Sequence, residues 1–294
     1  PHPSAGARAP ACHGPPVPGK TATMNATSSR RMNRLAPLLV VLPLLAACGG
    51  HDGDVPVRSG AGAPPELSGD TRLVITTENG VRLRPADGEH AATDPHVGAR
   101  WSHRGDTWVL DLTCHEADGD GDADGDGDGH GEDGARDGDG ACPRMPAIEV
   151  PAVASVTVTA RNAGIDVAGI DAPLDLTTVN GDVTVVRSGR DGATVRLATR
   201  NGSVRTGTLR SGRLHAETVN GDVTLNSTTS PSPLTAATTN GSLRVSLPHT
   251  APAYRVAATT RNGTTAVTLP TTEERSGPAM TLTTVNGDAT ATRD

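Results

Sequence analysis

One phrase, apolar-x-apolar-x-Thr-x-Asn-Gly, recurs through this chain, and its last six copies stand about twenty residues apart. The Asn-Gly steps begin at Asn79, Asn180, Asn201, Asn220, Asn240, Asn262 and Asn286, and a degenerate copy reads Asn162-Ala163-Gly164. A fixed short period means that each unit buries its apolar face against the next copy of itself, so the chain folds as an array of small β units rather than around one irregular core. Counting back from each Asn, positions −6 and −4 are Val, Leu, Ile, Met or Ala, and −2 is Thr in every copy except the degenerate one, where it is Ala160. Alternate residues of a strand share one face, so these positions and the Asn itself are expected to point the same way. A second strand restarts after the glycine, as in Val183-Thr184-Val185 and Leu243-Arg244-Val245. Breaker clusters such as Ser230-Pro231-Ser232-Pro233 separate the units.

Two architectures answer this pattern. In a β-solenoid of about six twenty-residue coils, each strand pairs with its equivalent one coil away. Asn180, Asn201, Asn220, Asn240, Asn262 and Asn286 then stack as an amide ladder. In the alternative, each Asn-Gly is a type I′ turn and the array is an antiparallel sandwich or meander of hairpins. Composition favours the solenoid. The chain has no Phe, one Tyr and two Trp, and a narrow tube is filled by small β-branched side chains, whereas a sandwich core about 10 Å thick usually calls for aromatics.

The N-terminal region speaks of location. Arg30, Arg31 and Arg34 precede an apolar run from Leu35 to Ala47, too short to span a bilayer but suited to a signal peptide, so 24–47 reads as one. The run ends Leu45-Ala46-Ala47-Cys48-Gly49, which resembles a bacterial lipobox. That resemblance implies cleavage before Cys48, its lipidation, and attachment of the chain to the outer face of a membrane through the lipid. An ordinary signal peptide followed by a chance Cys is the alternative. Residues 1–23 begin with Pro and look like neither signal nor fold; Met24 or Met32 is the more natural start.

Four segments follow. Residues 48–70 read as a flexible tether. Residues 71–114 read as an N-terminal β cap, with a hairpin turn at Arg104-Gly105-Asp106 between Trp101 and Trp108. That tripeptide is also one that cell-surface receptors read, but a turn between strands accounts for it. Residues 115–140 are Asp-Gly low complexity, a solvated loop bounded by Cys114 and Cys142, which in an extracytoplasmic chain are expected to form a disulfide rather than two free thiols. Residues 141–294 hold the main repeat domain. The whole chain carries −7, which argues against nucleic acid as a partner. The loop alone carries −10, which leaves the remainder at +3.

The segments Leu176-Thr177-Thr178-Val179-Asn180-Gly181-Asp182-Val183, Glu217-Thr218-Val219-Asn220-Gly221-Asp222-Val223 and Thr283-Thr284-Val285-Asn286-Gly287-Asp288 resemble the DUF4097-type adhesin family of bacterial envelopes. The resemblance covers about 71–294 and implies a β-helical, non-catalytic surface domain, often on an anchored protein. Some members of that family are linked to envelope stress. It carries no defined active site, so no functional residue transfers. The Asp-Gly insertion departs from the family pattern, and the last coil looks weak, with Ala289 and Ala291 where other copies have Val or Leu.

Two stretches could carry chemistry. Asp122, Asp124, Asp126 and Asp128 alternate toward Asp133 at calcium-loop spacing, which suits weak Ca²⁺ binding of the millimolar, extracellular kind. Arg187, Arg190, Arg196, Arg200, Arg205, Arg210 and Arg213 stand against Asp191 alone, and some would share an outward face able to meet anionic cell-wall polymers or envelope proteins. No G-x-S-x-G or H-E-x-x-H motif is present, and Gly19-Lys20-Thr21 falls in the Pro-rich stretch 1–23 with no strand pattern before it, so no phosphate-binding loop, no catalytic residues and no cofactor beyond that Ca²⁺ are expected. The expected function is a lipid-anchored, extracytoplasmic binding or structural module of the cell envelope. A stress sensor tuned by Ca²⁺ is the runner-up, and a carbohydrate-active β-helix enzyme comes third.

Overall fold

The computed structural model describes residues 65–94, 97–113 and 145–294. The described residues form strands and turns. The first six strands are β1 (Arg72–Thr77), β2 (Val81–Pro85), β3 (Ala92–Thr93), β4 (Gly98–Arg104), β5 (Thr107–Thr113) and β6 (Ala147–Val150). The regular repeats supply β7 (Ser155–Thr159), β8 (Ile165–Ala168), β9 (Leu174–Thr177), β10 (Val183–Val186), β11 (Thr194–Ala198), β12 (Val204–Gly207), β13 (Arg213–Glu217) and β14 (Val223–Asn226). The last six are β15 (Leu234–Ala237), β16 (Leu243–Leu247), β17 (Arg255–Thr259), β18 (Thr265–Val267), β19 (Ala279–Thr283) and β20 (Ala289–Arg293).

Each repeat contributes one strand to each of two ten-stranded sheets. One sheet runs β17-β19-β15-β13-β11-β9-β7-β1-β5-β4 and the other β18-β20-β16-β14-β12-β10-β8-β2-β6-β3. Every pairing is parallel except β4 on β5 and β3 on β6. A parallel neighbour one repeat away, turned by an Asn-Gly corner, is a solenoid coil. The expected β-solenoid is therefore the fold, and the hairpin alternative is not. Nine coils at the parallel strand spacing put about 38 Å between the first and the last. The expectation of about six coils counted only copies at the regular period; the pairs β1–β2 and β5–β6 are coils too, the second interrupted by residues 114–144.

The stacking order departs from chain order at both ends. The coil β1–β2 lies between β5–β6 and β7–β8, and the coil β19–β20 lies between β15–β16 and β17–β18. Only the interior repeats, β7 to β16, stack in the order in which they are written. The hairpin of β4 and β5 turns at Gly105, whose φ of 59° is left-handed, as the tripeptide reading required.

In-register pairing puts like over like. Val195 pairs with Leu214, and Leu197 with Ala216; Leu234 pairs with Met280, and Ala236 with Leu282. The −6 and −4 residues of the interior coils are fully buried, as are their counterparts Val183, Val204, Val223 and Leu243 on the facing sheet. Ala289 and Ala291 are fully buried as well. The coil that looked weak because Ala289 and Ala291 replace Val or Leu is interior, and small side chains suffice there because neighbours cover it on both sides. The outermost coil is β17–β18, where Val256, Ala258 and Val267 are only partly covered.

Candidate functional site

The Asn-Gly corners come first, because they set the spacing of everything on the surface. Strand alternation ends at the residue before the conserved Thr–x–Asn, so the Asn does not share the inward face: the Thr at −2 is buried in the interior coils, while each ladder Asn is exposed. The expected common direction is thus corrected. The buried Thr hydroxyls are satisfied across coils. Thr199 Oγ1 donates to the carbonyl of Gly181 at 2.8 Å, Thr218 to Gly202 at 2.8 Å, and Thr238 to Gly221 at 2.9 Å. A buried hydroxyl left unpaired would destabilise, which explains why Thr recurs where Val would otherwise serve.

The amide ladder is present. Asn201 Nδ2 donates to Asn180 Oδ1 at 2.9 Å, Asn220 to Asn201 at 2.9 Å, and Asn240 to Asn220 at 2.8 Å. Asn286 donates to Asn240 and Asn262 to Asn286, each at 2.7 Å. In space the column therefore ends at Asn262. The adjoining glycines are squeezed between carbonyls: a Cβ on Gly241, whose φ is +158°, would lie 2.0 Å from the Gly221 oxygen. Only glycine admits that approach.

Read in stacking order, the ladder coils alternate. The residue before Asn runs Val179, Arg200, Val219, Thr239, Val285, Arg261, and the residue after Gly runs Asp182, Ser203, Asp222, Ser242, Asp288, Thr264. Each Asp accepts a main-chain N–H from the next coil outward: Ser203 on Asp182 at 2.7 Å, Ser242 on Asp222 at 2.8 Å and Thr264 on Asp288 at 2.8 Å. Burial raises the Asp182 carboxyl, but the Ser203 N–H and the Arg205 guanidinium outweigh it and hold it below its usual range. The Thr264 N–H and hydroxyl lower Asp288. Placing Ser or Thr between aspartates keeps like charges off directly opposed positions.

The outer face of the sheet that carries β10 to β20 extends this two-coil rhythm. Thr184, Arg205, Thr224, Arg244 and Thr290 stand in register. Arg205 pairs with Asp182, and Arg84 with Asp166 at 3.0 Å. Arg244 makes no ion pair within 4.0 Å among the described residues. Arg244 borders a hollow of about 220 Å³ lined also by Thr224, Asn226, Val245, Ser246, Thr290 and Thr292. A cation ringed by hydroxyls and an amide suits an anionic, hydroxyl-rich ligand. A second hollow of about 570 Å³ lies where the degenerate copy interrupts the ladder, between Arg82, Met145 and Asn180.

The opposite outer face holds a charged cluster. Arg196 lies 2.7 Å from Glu217 and 3.9 Å from Asp175, and His215 lies 3.3 Å from Glu217. The His215 hydrogen bond, more than the Arg196 charge, holds Glu217 below its ordinary range against the effect of burial. Burial raises Asp175 despite Arg196 and His215.

The basic stretch does not gather on one face. Arg196 lies on one sheet and Arg205 on the other, Arg200 stands at the Asn-Gly corner, and Arg210 is across the coil, 2.9 Å from Asp171. Sequence reasoning passed over Arg244, although the alternation of Thr and Arg four residues after Asn was a signal for it. The lipidation candidate Cys48, the pair Cys114 and Cys142, and the calcium candidates Asp122, Asp124, Asp126, Asp128 and Asp133 lie outside the described residues. Among the described residues no three His, Cys, Asp or Glu side chains converge as a metal site, and no helix is long and apolar enough to cross a membrane.

No curated protein sequence matches this chain. Among solved structures it is similar to a "putative cell adhesion protein" of Clostridium sporogenes, at 6% identity and a TM-score of 0.31, covering 79% of this chain and 96% of that one. A family profile described as Toastrack DUF4097 matches residues 109–292, well over half of the chain. The repeat corners, the two parallel sheets and that match lead to one statement: this chain belongs to the Toastrack DUF4097 family.

Proposed function

We propose that the chain is a lipid-anchored, extracytoplasmic module of the bacterial cell envelope that binds anionic, hydroxyl-rich wall polymer on a rigid β surface and carries out no catalysis. The observation that carries this reading is Arg244, which makes no ion pair within 4.0 Å among the described residues, although its charge is felt by Asp288, and which borders a hollow of hydroxyl and amide side chains. The coils on either side hold the Arg244 backbone in register with Thr224 and Thr290, so the strand surface that presents it is preorganised. Repetition along a solenoid also matches a ligand that itself repeats. The lipobox resemblance at Cys48 supports the anchor; the tether expected at 48–70 is shortened at its far end, because Leu67 is buried in the core and Pro65 and Leu67 bond to the backbone at 89–91.

Two experiments test it. Cosedimentation of the chain with isolated anionic wall polymer should lose at least fivefold in bound fraction on Arg244→Glu and little on Arg213→Glu; equal binding by wild type and R244E would overturn the polymer reading. Expressed in a bacterium, the chain should partition with membranes and Cys48→Ser should release it; membrane retention of C48S would remove the lipid anchor.

A further inference from the structure

Asn-Gly is the dipeptide most prone to spontaneous deamidation, because glycine leaves its main-chain nitrogen free to reach the neighbouring side-chain carbon. Of the seven such steps, Asn79 is half-buried with Gly80 buried, and the six from Asn180 to Asn286 stand exposed along one edge of this molecule. The stacked corners treat five of them alike and leave one different. The N–H of Gly181 donates to the Asn201 carbonyl at 2.8 Å, Gly202 to Asn220, Gly221 to Asn240, Gly241 to Asn286 and Gly287 to Asn262, each at 2.9 Å. In every case the attacking nitrogen is held by the next coil outward. Those five glycines are half-buried. Gly263 belongs to the terminal coil and has no coil beyond it. Its N–H has no acceptor among the described residues, and the glycine is exposed. The side chain of Asn262 is likewise held at one end only: Nδ2 donates to Asn286, while Oδ1 accepts nothing among the described residues. Asn201, Asn220, Asn240 and Asn286 are held at both ends.

We infer that Asn262 is the site of spontaneous deamidation among the six ladder asparagines of the folded chain, and that the ladder protects the other five. The Gly263 main-chain nitrogen loses its proton to solvent and attacks Cγ of Asn262. A new N–C bond closes a five-membered succinimide, the bond from Cγ to Nδ2 breaks, and the nitrogen leaves as ammonia. Water then adds to either ring carbonyl and yields aspartate or isoaspartate. No oxidant or reductant takes part. In the five protected steps the same attack first requires breaking the glycine's main-chain hydrogen bond to the next coil. The product at position 262 loses the donor to Asn286 and gains a carboxylate, so the change loosens the end coil while leaving the column from Asn180 to Asn286 intact.

The test is incubation of the full chain at pH 8 and 37 °C, with peptide mapping for the mass gain of about 1 Da and for isoaspartate at each ladder asparagine. In the folded chain Asn262 should convert at least tenfold faster than Asn180, Asn201, Asn220, Asn240 or Asn286. In guanidinium chloride the six rates should converge to within about threefold, and Asn262→Gln should remove the fast phase from the folded chain. Conversion of Asn262 no faster than that of Asn220 or Asn240 in the folded chain would overturn the inference, as would persistence of the same rate ranking in denaturant, which would trace the difference to local sequence instead of the stack.

Discussion

Asn286 donates its side-chain amide to Asn240 at 2.7 Å, across 46 residues of chain, and so takes the place in the column that the next copy in sequence would fill. Asn262 is displaced one step outward and bonds to Asn286. The exchange has a physical rationale. Met280 and Leu282 are larger than Val256 and Ala258, and the inserted coil buries them fully between neighbours, whereas the terminal coil is covered on one side only. Each buried methylene contributes about 0.8 kcal/mol, so the larger pair belongs inside. The corner chemistry agrees: Asp288 accepts the N–H of Thr264 only because another coil lies beyond it.

The glycine column makes a sharp prediction about substitution. Gly241→Ala places a methyl against main-chain atoms at a φ of +158°, with no flexible side chain to give way. It should destabilise by about 3 kcal/mol or more in urea unfolding. Gly105→Ala, at a φ of 59° with open space around it, should cost about 1 kcal/mol. Similar losses for both would show that the corners are not as closely stacked as described.

Ladder asparagines should couple to their neighbours in the stack. Asn220→Ala removes two side-chain hydrogen bonds and should cost about 1–2 kcal/mol. A double-mutant cycle of N220A with N240A should show an interaction energy of about 0.5 kcal/mol or more, because the two share a bond. N201A with N286A, three steps apart in the column, should be additive. The readout is equilibrium denaturation of each single and double variant.

The charged cluster gives a signed dependence on pH. Glu217 is held below its ordinary range in the folded chain, so it contributes stability above its unfolded value of about 4.3 that is lost as pH falls through the folded value. Stability should therefore drop below about pH 4.5, and Glu217→Gln should flatten that drop while lowering stability at pH 7. Asp175 has the opposite sign: burial raises it, so Asp175→Asn should leave stability at pH 7 unchanged or slightly higher. Denaturation midpoints from pH 3 to 7 for the two variants separate these cases; a loss of stability at pH 7 in both would contradict the assignment.

Much of this architecture was legible in the residues. The inward −6, −4 and −2 positions, the parallel stacking and the amide column all follow from Val195-x-Leu197-x-Thr199-x-Asn201-Gly202 and its copies. The coil order did not follow, because an apolar pattern is degenerate: Leu234 and Ala236 can pair as well with Val256 and Ala258 as with Met280 and Leu282. The discriminating signal lay in polar residues. The alternation of Asp182, Ser203, Asp222 and Ser242 breaks at Thr264 in chain order and is restored when Asp288 precedes it. The exposure of the asparagines was missed because strand periodicity was carried three residues past the strand end at Thr177, to Asn180. Arg244 was passed over because charge was sought as a run along the chain, whereas a solenoid builds its surface from residues a full coil apart.

The order of the terminal coils is the claim on which the rest of the account turns, and cysteine cross-linking reads it directly. Thr235 and Thr281 are paired in register on adjacent strands, facing outward, within about 5 Å of one another by parallel strand spacing and inside the range a disulfide spans. Ala257 stands in the same row one strand farther out, about 10 Å from Thr235. Under mild oxidation, with the linked peptides mapped by mass spectrometry, Thr235→Cys with Thr281→Cys should cross-link and Thr235→Cys with Ala257→Cys should not. Efficient cross-linking of the 235–257 pair and none of the 235–281 pair would mean that the coils stack in the order they are written, and the account would be wrong.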